Sequence, residues 1–379
     1  MSFTLHIISF DIPYPANYGG VIDVFYKIRA LHEAGVRIYL HCFTYRRQPV
    51  KELDTYCDKI FYYPRKNGII SNLSLIPYIV KSRMPEELMG NLLRDHHPIL
   101  FEGLHTCGFI ADKRLQGRFL IYRESNIEHQ YYYHLFKSEK SLWKKLYFLV
   151  ESIRLKSFQK ALQHVSLMLT VSLQDMEYLQ SKFPAKKIVY LPSFHRDDQV
   201  HILTGRGKYA LYQGKLSVPE NYMAARFLIR KVWEPSFPEL IIAGFDPPEW
   251  LVKSVRNIPN IRIVKNPNDD GMARLISDAQ VNILVTFQPT GLKLKLLNAL
   301  YNGRFCLVNP AMVTGTSLAA LCILAKTPLD FKEKIPAIFN QEFSREDIQN
   351  RQHIIETIHS NQKNCEFLLE MLTLSSGSD

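Results

Sequence analysis

The sequence lacks the patterns that would place it in a membrane or in an oxidising compartment. No apolar run approaches the roughly 20 residues needed to cross a bilayer, and the N-terminus lacks the basic-then-apolar pattern of a signal peptide. Six cysteines are scattered through 379 residues without a CxxC pair or a metal-ligand spacing. Neither a disulfide framework nor a zinc site is indicated, and we expect a cytoplasmic protein.

Acidic residues are also scarce relative to basic ones. The chain has 36 Asp and Glu against 47 Lys and Arg, a net charge of +11 and a sequence pI of about 9.2. This balance favours an anionic partner: nucleic acid, an anionic membrane face or a phosphate-bearing substrate. No recognised nucleic-acid-binding motif and no run of five basic residues occur, so we expect no nucleic-acid partner.

The most basic region is the segment 137–160. Its basic residues are interleaved with large apolar ones: Lys140, Lys144, Lys145, Arg154, Lys156 and Lys160 with Trp143, Leu146, Tyr147, Phe148 and Phe158. The pattern predicts a helix or helix pair with one basic side and one aromatic side. Two interpretations stay open: a surface that contacts anionic lipid headgroups at the inner membrane face, or an ordinary solvated face over a packed one.

The N-terminal half alternates strands and helices. The continuous apolar run 5–10 predicts a buried strand, Val21 to Leu31 has helical spacing and ends before Gly35, and 36–43 predicts the next strand. This βαβ unit implies a parallel sheet covered by helices. Further strands are predicted at 60–63, 99–101, 119–122, 167–171 and 188–191.

A polar stretch at 193–208, with two glycines and no clear period, is the best linker candidate. A second α/β series follows, with strands predicted at 209–212, 240–243, 261–264, 281–285 and 305–308. We expect two doubly wound, Rossmann-like α/β domains, 1–200 and 208–344, that face a cleft. The amphipathic segment 345–379 is expected to return to the N-terminal domain and bury its apolar stripe there.

The loop "DIPYPANYGG" connects the first strand to the first helix. Gly19 and Gly20 remove side chains directly before the helix, where a ligand can approach the backbone and the unpaired N–H groups of the helix can meet an anion. The alternative is a tight strand-to-helix turn without a ligand. The loop matches neither the GxGxxG fingerprint nor the P-loop.

Four separated stretches carry a resemblance to a known family. They are "IPYPANYGGVIDVFYKIRALHEAGVRIYLH", "YRESNIEHQYYYHLFKSEKSLWKKLYFLVESIRLKSFQKAL" with "LTVSLQDMEYL", "LYQGKLSVPENYMAARFL" and "GLKLKLLNALYNGRFCLV". In this order, over nearly the whole chain, they resemble the GT-B glycosyltransferases of the family 4, or group 1, type. The resemblance implies a retaining, metal-independent hexosyltransferase that moves a sugar from a nucleotide diphosphate donor to a glycan or polyprenyl-linked acceptor in surface polysaccharide biosynthesis.

The resemblance also assigns donor-site residues. Lys215 occupies the position where the family has Arg or Lys against the diphosphate, and cations of this kind stabilise the leaving phosphate without a metal. Lys293 and Lys295 begin the helix after "QPTG"; two positions apart, only one is expected to touch phosphate. The remaining assigned donor residues are Gly214, Gly244, Gly291 and Asn298. No Asp-x-Asp occurs in the chain, so no metal and no cofactor besides the donor substrate are expected.

Two departures from the family pattern are visible. The E-x7-E acids fall near Thr290 and on Asn298, and the second phosphate-facing lysine falls on Glu220. Asn298 can still bond ribose hydroxyls, but as a neutral amide. A non-catalytic or donor-altered relative that binds glycan or nucleotide therefore stays open, as does a nucleotide-sugar epimerase.

The expected acceptor side lies in the N-terminal domain. Glu102 and His105 follow a predicted strand, and the resemblance implies a catalytic histidine beside the transferred sugar, with an intrinsic pKa that permits proton exchange. Glu124 and Asn126, together with Glu128, follow another strand. Their alternative role is N-capping of the aromatic helix that comes next.

Overall fold

A computed structural model describes residues 3–66, 74–139, 141–287 and 293–376. Within these ranges the chain divides into two compact units. Residues up to His195 and those from Asn361 onward form unit 1, whereas the residues from Arg196 to Ser360 form unit 2. The predicted linker 193–208 contains this division and has no helix or strand beyond one bridge between Gly205 and Phe343.

Unit 1 is built on a seven-stranded parallel sheet in the order β3-β2-β1-β4-β5-β6-β7. All seven strands predicted from the sequence are confirmed. Helices cover both faces of the sheet, so its central strands are buried on both sides and appear in the sequence as continuous apolar runs. The strands are β1 (Thr4–Ile8), β2 (Arg37–Thr44), β3 (Lys59–Pro64), β4 (Ile99–Glu102), β5 (Leu120–Glu124), β6 (Leu167–Thr170) and β7 (Lys187–Tyr190).

The helices of unit 1 lie on the two faces of this sheet, which separates two hydrophobic clusters. Their bounds are α1 (Gly19–Glu33), α2 (Tyr78–Lys81), α3 (Glu86–Leu92), α4 (Glu128–Ser138), α5 (Leu142–Phe158) and α6 (Leu173–Lys182). Helix α1 buries Val21, Val24, Ile28 and Leu31, as its spacing predicts, and Gly35 follows with φ 81°, a left-handed conformation that suits glycine.

Unit 2 contains a six-stranded parallel sheet in the order β10-β9-β8-β11-β12-β13. Its strands are β8 (Ala210–Gln213), β9 (Leu240–Gly244), β10 (Ile261–Lys265), β11 (Val281–Leu284), β12 (Phe305–Val308) and β13 (Ile323–Leu324). The five predicted strands are confirmed, and the two-residue edge strand β13 was too short to give a sequence signal. The helices are α7 (Pro219–Phe227), α8 (Glu249–Val255), α9 (Asp269–Asp278), α10 (Leu294–Asn302), α11 (Pro310–Val313), α12 (Pro328–Phe339) and α13 (Arg345–Ile358).

The C-terminal segment forms two helices rather than one. Helix α13 stays with unit 2, because Ile355 lies in a hydrophobic cluster there and the Arg351 guanidinium donates to the Gly303 carbonyl at 2.6 Å. Helix α14 (Asn361–Ser376) packs against α1 and buries Cys365, Leu368 and Leu372 in the core of unit 1. The expected return to the N-terminal domain therefore begins at Asn361 and not at residue 345.

None of the helices within the described ranges combines the length and the apolar character needed to cross a bilayer.

Candidate functional site

In unit 2 the direction of strand order reverses between β8 and β11. These strands are parallel neighbours, so the segments that leave their carboxyl ends emerge at the same edge of the sheet. Gly214 and Lys215 follow β8, and Val285 and Thr286 follow β11. Doubly wound sheets bind ligands outside the carboxyl ends of the strands at such a reversal.

Asn221, in α7, joins the elements that meet at this edge. Its side-chain amide donates to the Lys215 main-chain carbonyl at 3.0 Å, and its side-chain oxygen accepts from the Lys295 ammonium at 3.0 Å. The main-chain carbonyl of Asn221 accepts from the Tyr212 hydroxyl at 3.0 Å. The Lys295 Nζ also lies 5.9 Å from the centre of the Tyr212 ring. Asn221 thus fastens the loop after β8 to the start of α10, a role that the sequence did not reveal.

The three predicted lysines have different environments. Burial lowers the pKa of Lys295, and the nearby Glu220 carboxylate offsets part of this lowering of the pKa. Lys215 is exposed in the loop after β8, and Lys293 is the half-buried N-cap residue of α10. The Asn221 side chain contacts the main-chain carbonyl of Lys215 and the ammonium of Lys295.

Glu220 occupies the position where the resemblance led us to look for a second lysine. Its carboxylate accepts a hydrogen bond from the Thr286 hydroxyl. Thr286 is itself held by Asn309, whose side chain accepts from the Thr286 N–H at 3.1 Å and donates to the Thr286 carbonyl at 2.7 Å. An acidic group is therefore fixed at the carboxyl end of β11.

Close packing explains two of the predicted glycines. A Cβ atom on Gly244 would lie 1.8 Å from the Gly214 carbonyl oxygen, and one on Gly214 would lie 3.0 Å from the side chain of Asn221. Asn298 is half-buried in α10, and its side-chain oxygen Oδ1 accepts a hydrogen bond from the Asn302 side-chain amide at 2.9 Å. The predictions on Thr290 and Gly291 lie outside the described residues.

The carboxyl edge of the sheet in unit 1 gathers a second group of side chains. Phe10 follows β1, His105 follows β4 and Glu128 follows β5, and these three strands end in register. The His105 Nδ1 lies 3.8 Å from the Glu128 carboxylate, and the His105 ring lies 5.5 Å from the Phe10 ring. Arg83 donates to the Phe10 carbonyl at 2.8 Å, beside this pair.

Burial makes the uncharged forms of His105 and Glu128 the stable ones. It raises the pKa of Glu128 to about 8, against the opposing charge of Arg83. Burial, with smaller contributions from the charges of Arg83 and Arg65, holds the pKa of His105 well below its usual value. Among the described residues His105 Nδ1 has no hydrogen-bond partner, so a buried polar atom is left unsatisfied at this edge.

Glu102, predicted to contact the acceptor, lies instead in a buried ionic cluster. It accepts from the Lys27 ammonium at 2.6 Å; Lys27 also pairs with Asp23 at 3.0 Å, and Asp23 with Arg123 at 3.2 Å. All four side chains are almost completely buried. To contact an acceptor, the Glu102 carboxylate would have to leave Lys27, which would then be left with Asp23, a carboxylate already paired with Arg123. Breaking a buried ion pair in this way is strongly unfavourable.

Glu124 is also buried, and its contacts are local. It accepts from the Tyr122 hydroxyl at 2.6 Å and from the Asn126 N–H at 2.9 Å, so its carboxylate fixes the turn that leads into α4. Burial raises the pKa of Glu124 well above its usual value. The side chain of Asn126 is half-buried at the same turn.

The loop before α1 is held by contacts of its own. Both Gly19 and Gly20 belong to the first turn of the helix, and a Cβ on Gly20 would lie 2.5 Å from the Phe10 ring. Arg47 donates to the Ile12 and Pro15 carbonyls and to the Asn17 side chain. Gly20 thus has a packing role beside Phe10, independent of any ligand.

Comparison with solved structures identifies the architecture. Anabaena Alr3699/HepE, solved with UDP and glucose, superposes with a TM-score of 0.66 and 12% identity over 99% of this chain and 100% of that chain. TarM superposes with a TM-score of 0.72 and 8% identity over 98% and 99% of the two chains. The chain has the GT-B glycosyltransferase fold. At these identities the likeness concerns the GT-B fold alone.

The sequence comparisons add one relative. No family model matches the chain. An uncharacterized 44.6 kDa protein in the cps region of Klebsiella pneumoniae is 25% identical over 353 residues, which cover 87% of this chain and 89% of that protein.

Proposed function

We propose that this protein is a retaining, metal-independent glycosyltransferase that uses a nucleotide diphosphate sugar. Its acceptor would be a glycan or a lipid-linked glycan in surface polysaccharide biosynthesis. The GT-B fold supports the proposal, as do the UDP and glucose bound by HepE. Staphylococcus aureus TarM, in a G117R form, was solved with UDP, fondaparinux and alpha-GlcNAc-glycerol, at a TM-score of 0.68 and 9% identity. The location of the Klebsiella relative in a cps region supports the polysaccharide assignment.

The observation that carries the proposal is the position of Lys295 in unit 2. Its ammonium is held on Asn221 at the carboxyl edge of the sheet, and burial lowers its pKa. A desolvated cation at a strand-order reversal attracts a bound diphosphate strongly, because the attraction between the two charges acts in a region of low dielectric constant. Lys215, exposed on the neighbouring loop, would add a second positive charge to the departing diphosphate.

We assign the other residues of the site by their chemistry. Lys293 is the N-cap residue of α10. Asn298 lies within α10, and its side-chain amide would bond the ribose hydroxyls of the donor. Gly214 and Gly244 are proposed donor-site residues at the carboxyl ends of β8 and β9, where the two backbones lie too close together to admit a side chain on Gly244. In unit 1, His105 is the proposed contact to the transferred sugar, because its Nδ1 lacks a protein partner among the described residues.

A second candidate is a GT-B protein that binds nucleotide or glycan without transfer. The fixed Glu220 favours it: a carboxylate bonded to Thr286 puts negative charge near Lys295, where a diphosphate would be repelled. Only the first candidate releases nucleoside diphosphate from a donor, so turnover distinguishes the two.

Turnover of nucleotide sugars tests the choice. Purified protein with EDTA is incubated with a panel of nucleotide diphosphate sugars, with and without a membrane extract as acceptor source, and released nucleoside diphosphate is measured. We expect release from at least one donor, lowered at least about tenfold in Lys295→Met, since a charge-assisted contact contributes about 1.5–3 kcal/mol. Lys208→Met is the matched control, because Lys208 is exposed before β8, at the opposite edge of the sheet. Nucleotide binding without release would favour the non-catalytic candidate.

A further inference from the structure

Helix α5 turns an apolar face toward solvent. Leu142, Leu146, Val150 and Ile153 follow one another at intervals of four, four and three residues, which places them on one side of the helix. Leu142 is 80% exposed, Leu146 54% and Ile153 62%. Trp143, 84% exposed, lies beside Leu142. We call these five residues the α5 stripe.

The opposite side of α5 fixes this orientation. Glu151 accepts from the Tyr78 N–H at 2.8 Å, Ser152 donates to the His129 carbonyl at 2.7 Å, and Leu155 is completely buried. Phe148 and Phe158, part of the predicted aromatic side, are only half-exposed: Phe148 contacts Tyr132, and Phe158 packs against the core. The residues that remain outside are mainly aliphatic, and exposed apolar side chains grouped on one face of a helix are typical of an interaction site.

The charges around the stripe are mainly positive. The half-buried Glu139, just before α5, is an acidic exception and accepts a hydrogen bond from the Ser141 N–H at 3.0 Å. The acidic residues of α4 and α5 are Glu128 and Glu151, and both are buried. The basic residues lie at the surface or half-buried: Lys137, Lys144, Lys145, Arg154 and Lys156. By helical spacing, Lys145 and Lys156 share one edge of the α5 stripe.

We propose that the α5 stripe docks unit 1 on an anionic lipid surface, with α5 lying in the plane of the headgroups. Leucine, isoleucine and tryptophan flanked by lysine is the composition of helices that bind in this way. A second copy of the chain would bring the same lysines together, at a cost in repulsion, whereas anionic headgroups neutralise them. Nucleic acid would leave the leucine and isoleucine side chains in water. This docking does not depend on the proposed catalytic function.

Co-sedimentation with vesicles of phosphatidylcholine alone, or of phosphatidylcholine with phosphatidylglycerol, tests the proposal with the full chain. The stripe variant is Leu146→Ser/Ile153→Ser, with Leu203→Ser/Leu329→Ser as its control at exposed leucines of unit 2. The charge variant is Lys145→Gln/Lys156→Gln, with Lys208→Gln/Lys231→Gln as a control of equal net charge. Circular dichroism melts establish that each variant is folded.

The parent and both control variants should bind anionic vesicles, and high salt should weaken the binding. The charge variant should bind roughly 25-fold more weakly at low salt, at about fivefold per lysine. The stripe variant should lose about tenfold or more, and the binding that remains should be abolished by salt. Three results would overturn the proposal. The first is that the parent does not bind anionic vesicles, and the second is that the stripe variant and its control bind them equally. The third is that the parent forms a concentration-dependent dimer, which the stripe variant does not form, and binds no vesicles.

Discussion

Glu128 gives the structure a specific dependence of stability on pH. In the folded chain its pKa is raised to about 8 from an ordinary value of 4.5. Between these two pH values the folded state holds one more proton than the unfolded state. The free energy of unfolding must therefore decrease as the pH rises, by up to about 1.4 kcal/mol per pH unit. From pH 5 to pH 8 the contribution of this group falls by about 3.5 kcal/mol.

The substitution Glu128→Gln removes this dependence, because glutamine has nearly the shape of the protonated acid and cannot ionise. We expect the variant to be close to the parent in stability at pH 5 and more stable than the parent at pH 8. Glu177→Gln is the control: Glu177 is exposed on α6, and its substitution should leave the pH dependence of the parent unchanged.

The assay must report on unit 1 alone, because a chain of two units need not unfold in one step. Hydrogen exchange at increasing urea, measured on peptides that cover β5 and α4 at several pH values, meets this need. Difference infrared spectroscopy of the carboxyl C=O stretch gives a direct titration, with a band in the parent that Glu128→Gln lacks. A stability difference between variant and parent that stays constant from pH 5 to pH 8 would refute the reasoning.

Two further predictions concern packing. Gly244→Ala should destabilise unit 2 by about 3 kcal/mol or more, since the new Cβ would lie 1.8 Å from the Gly214 carbonyl oxygen. Gly90→Ala, in α3 with open space around it, should instead stabilise unit 1 by roughly 0.5–1 kcal/mol. Urea unfolding measures both changes. Leu368→Ala should cost unit 1 about 2–5 kcal/mol, because this completely buried side chain anchors α14 against the core of unit 1. Leu329→Ala, at a 62% exposed leucine, should change the stability by less than about 0.5 kcal/mol, and equal losses at the two leucines would contradict the packing of α14.

The sheets were predictable because parallel strands under helices are apolar on both faces. The run "LHII" and its counterparts gave seven strands in unit 1, whereas "IL" of β13 was too short to be recognised. The ionic cluster was not predicted, because each of its members is a residue type usually found at the surface. A signal existed: Asp23 and Lys27 lie on the apolar side of α1, and Arg123 lies inside an apolar strand.

The candidate site was predictable only where residues are close in sequence. The loop after β8 and the start of α10 were found by resemblance, but the Asn221 that joins them is 74 residues from Lys295. Glu128 and His105 were both predicted to follow strands on the acceptor side, but nothing in the sequence indicated that His105 Nδ1 would lie 3.8 Å from the Glu128 carboxylate. Contacts of this kind depend on which strands end at the same edge, and strand order is a tertiary property that local patterns do not encode.

The most direct test of the donor site compares nucleoside diphosphates with their nucleosides. Calorimetric titrations in EDTA use a panel that includes UDP and uridine, with the parent, Lys215→Met, Lys295→Met and the Lys208→Met control. The account predicts that the parent binds one diphosphate more tightly than its nucleoside, that Lys295→Met loses at least about tenfold of this preference, and that Lys208→Met keeps it. A parent without any preference for a diphosphate, or a preference that survives in both Lys215→Met and Lys295→Met, would contradict the assignment of this edge of unit 2 as the donor site.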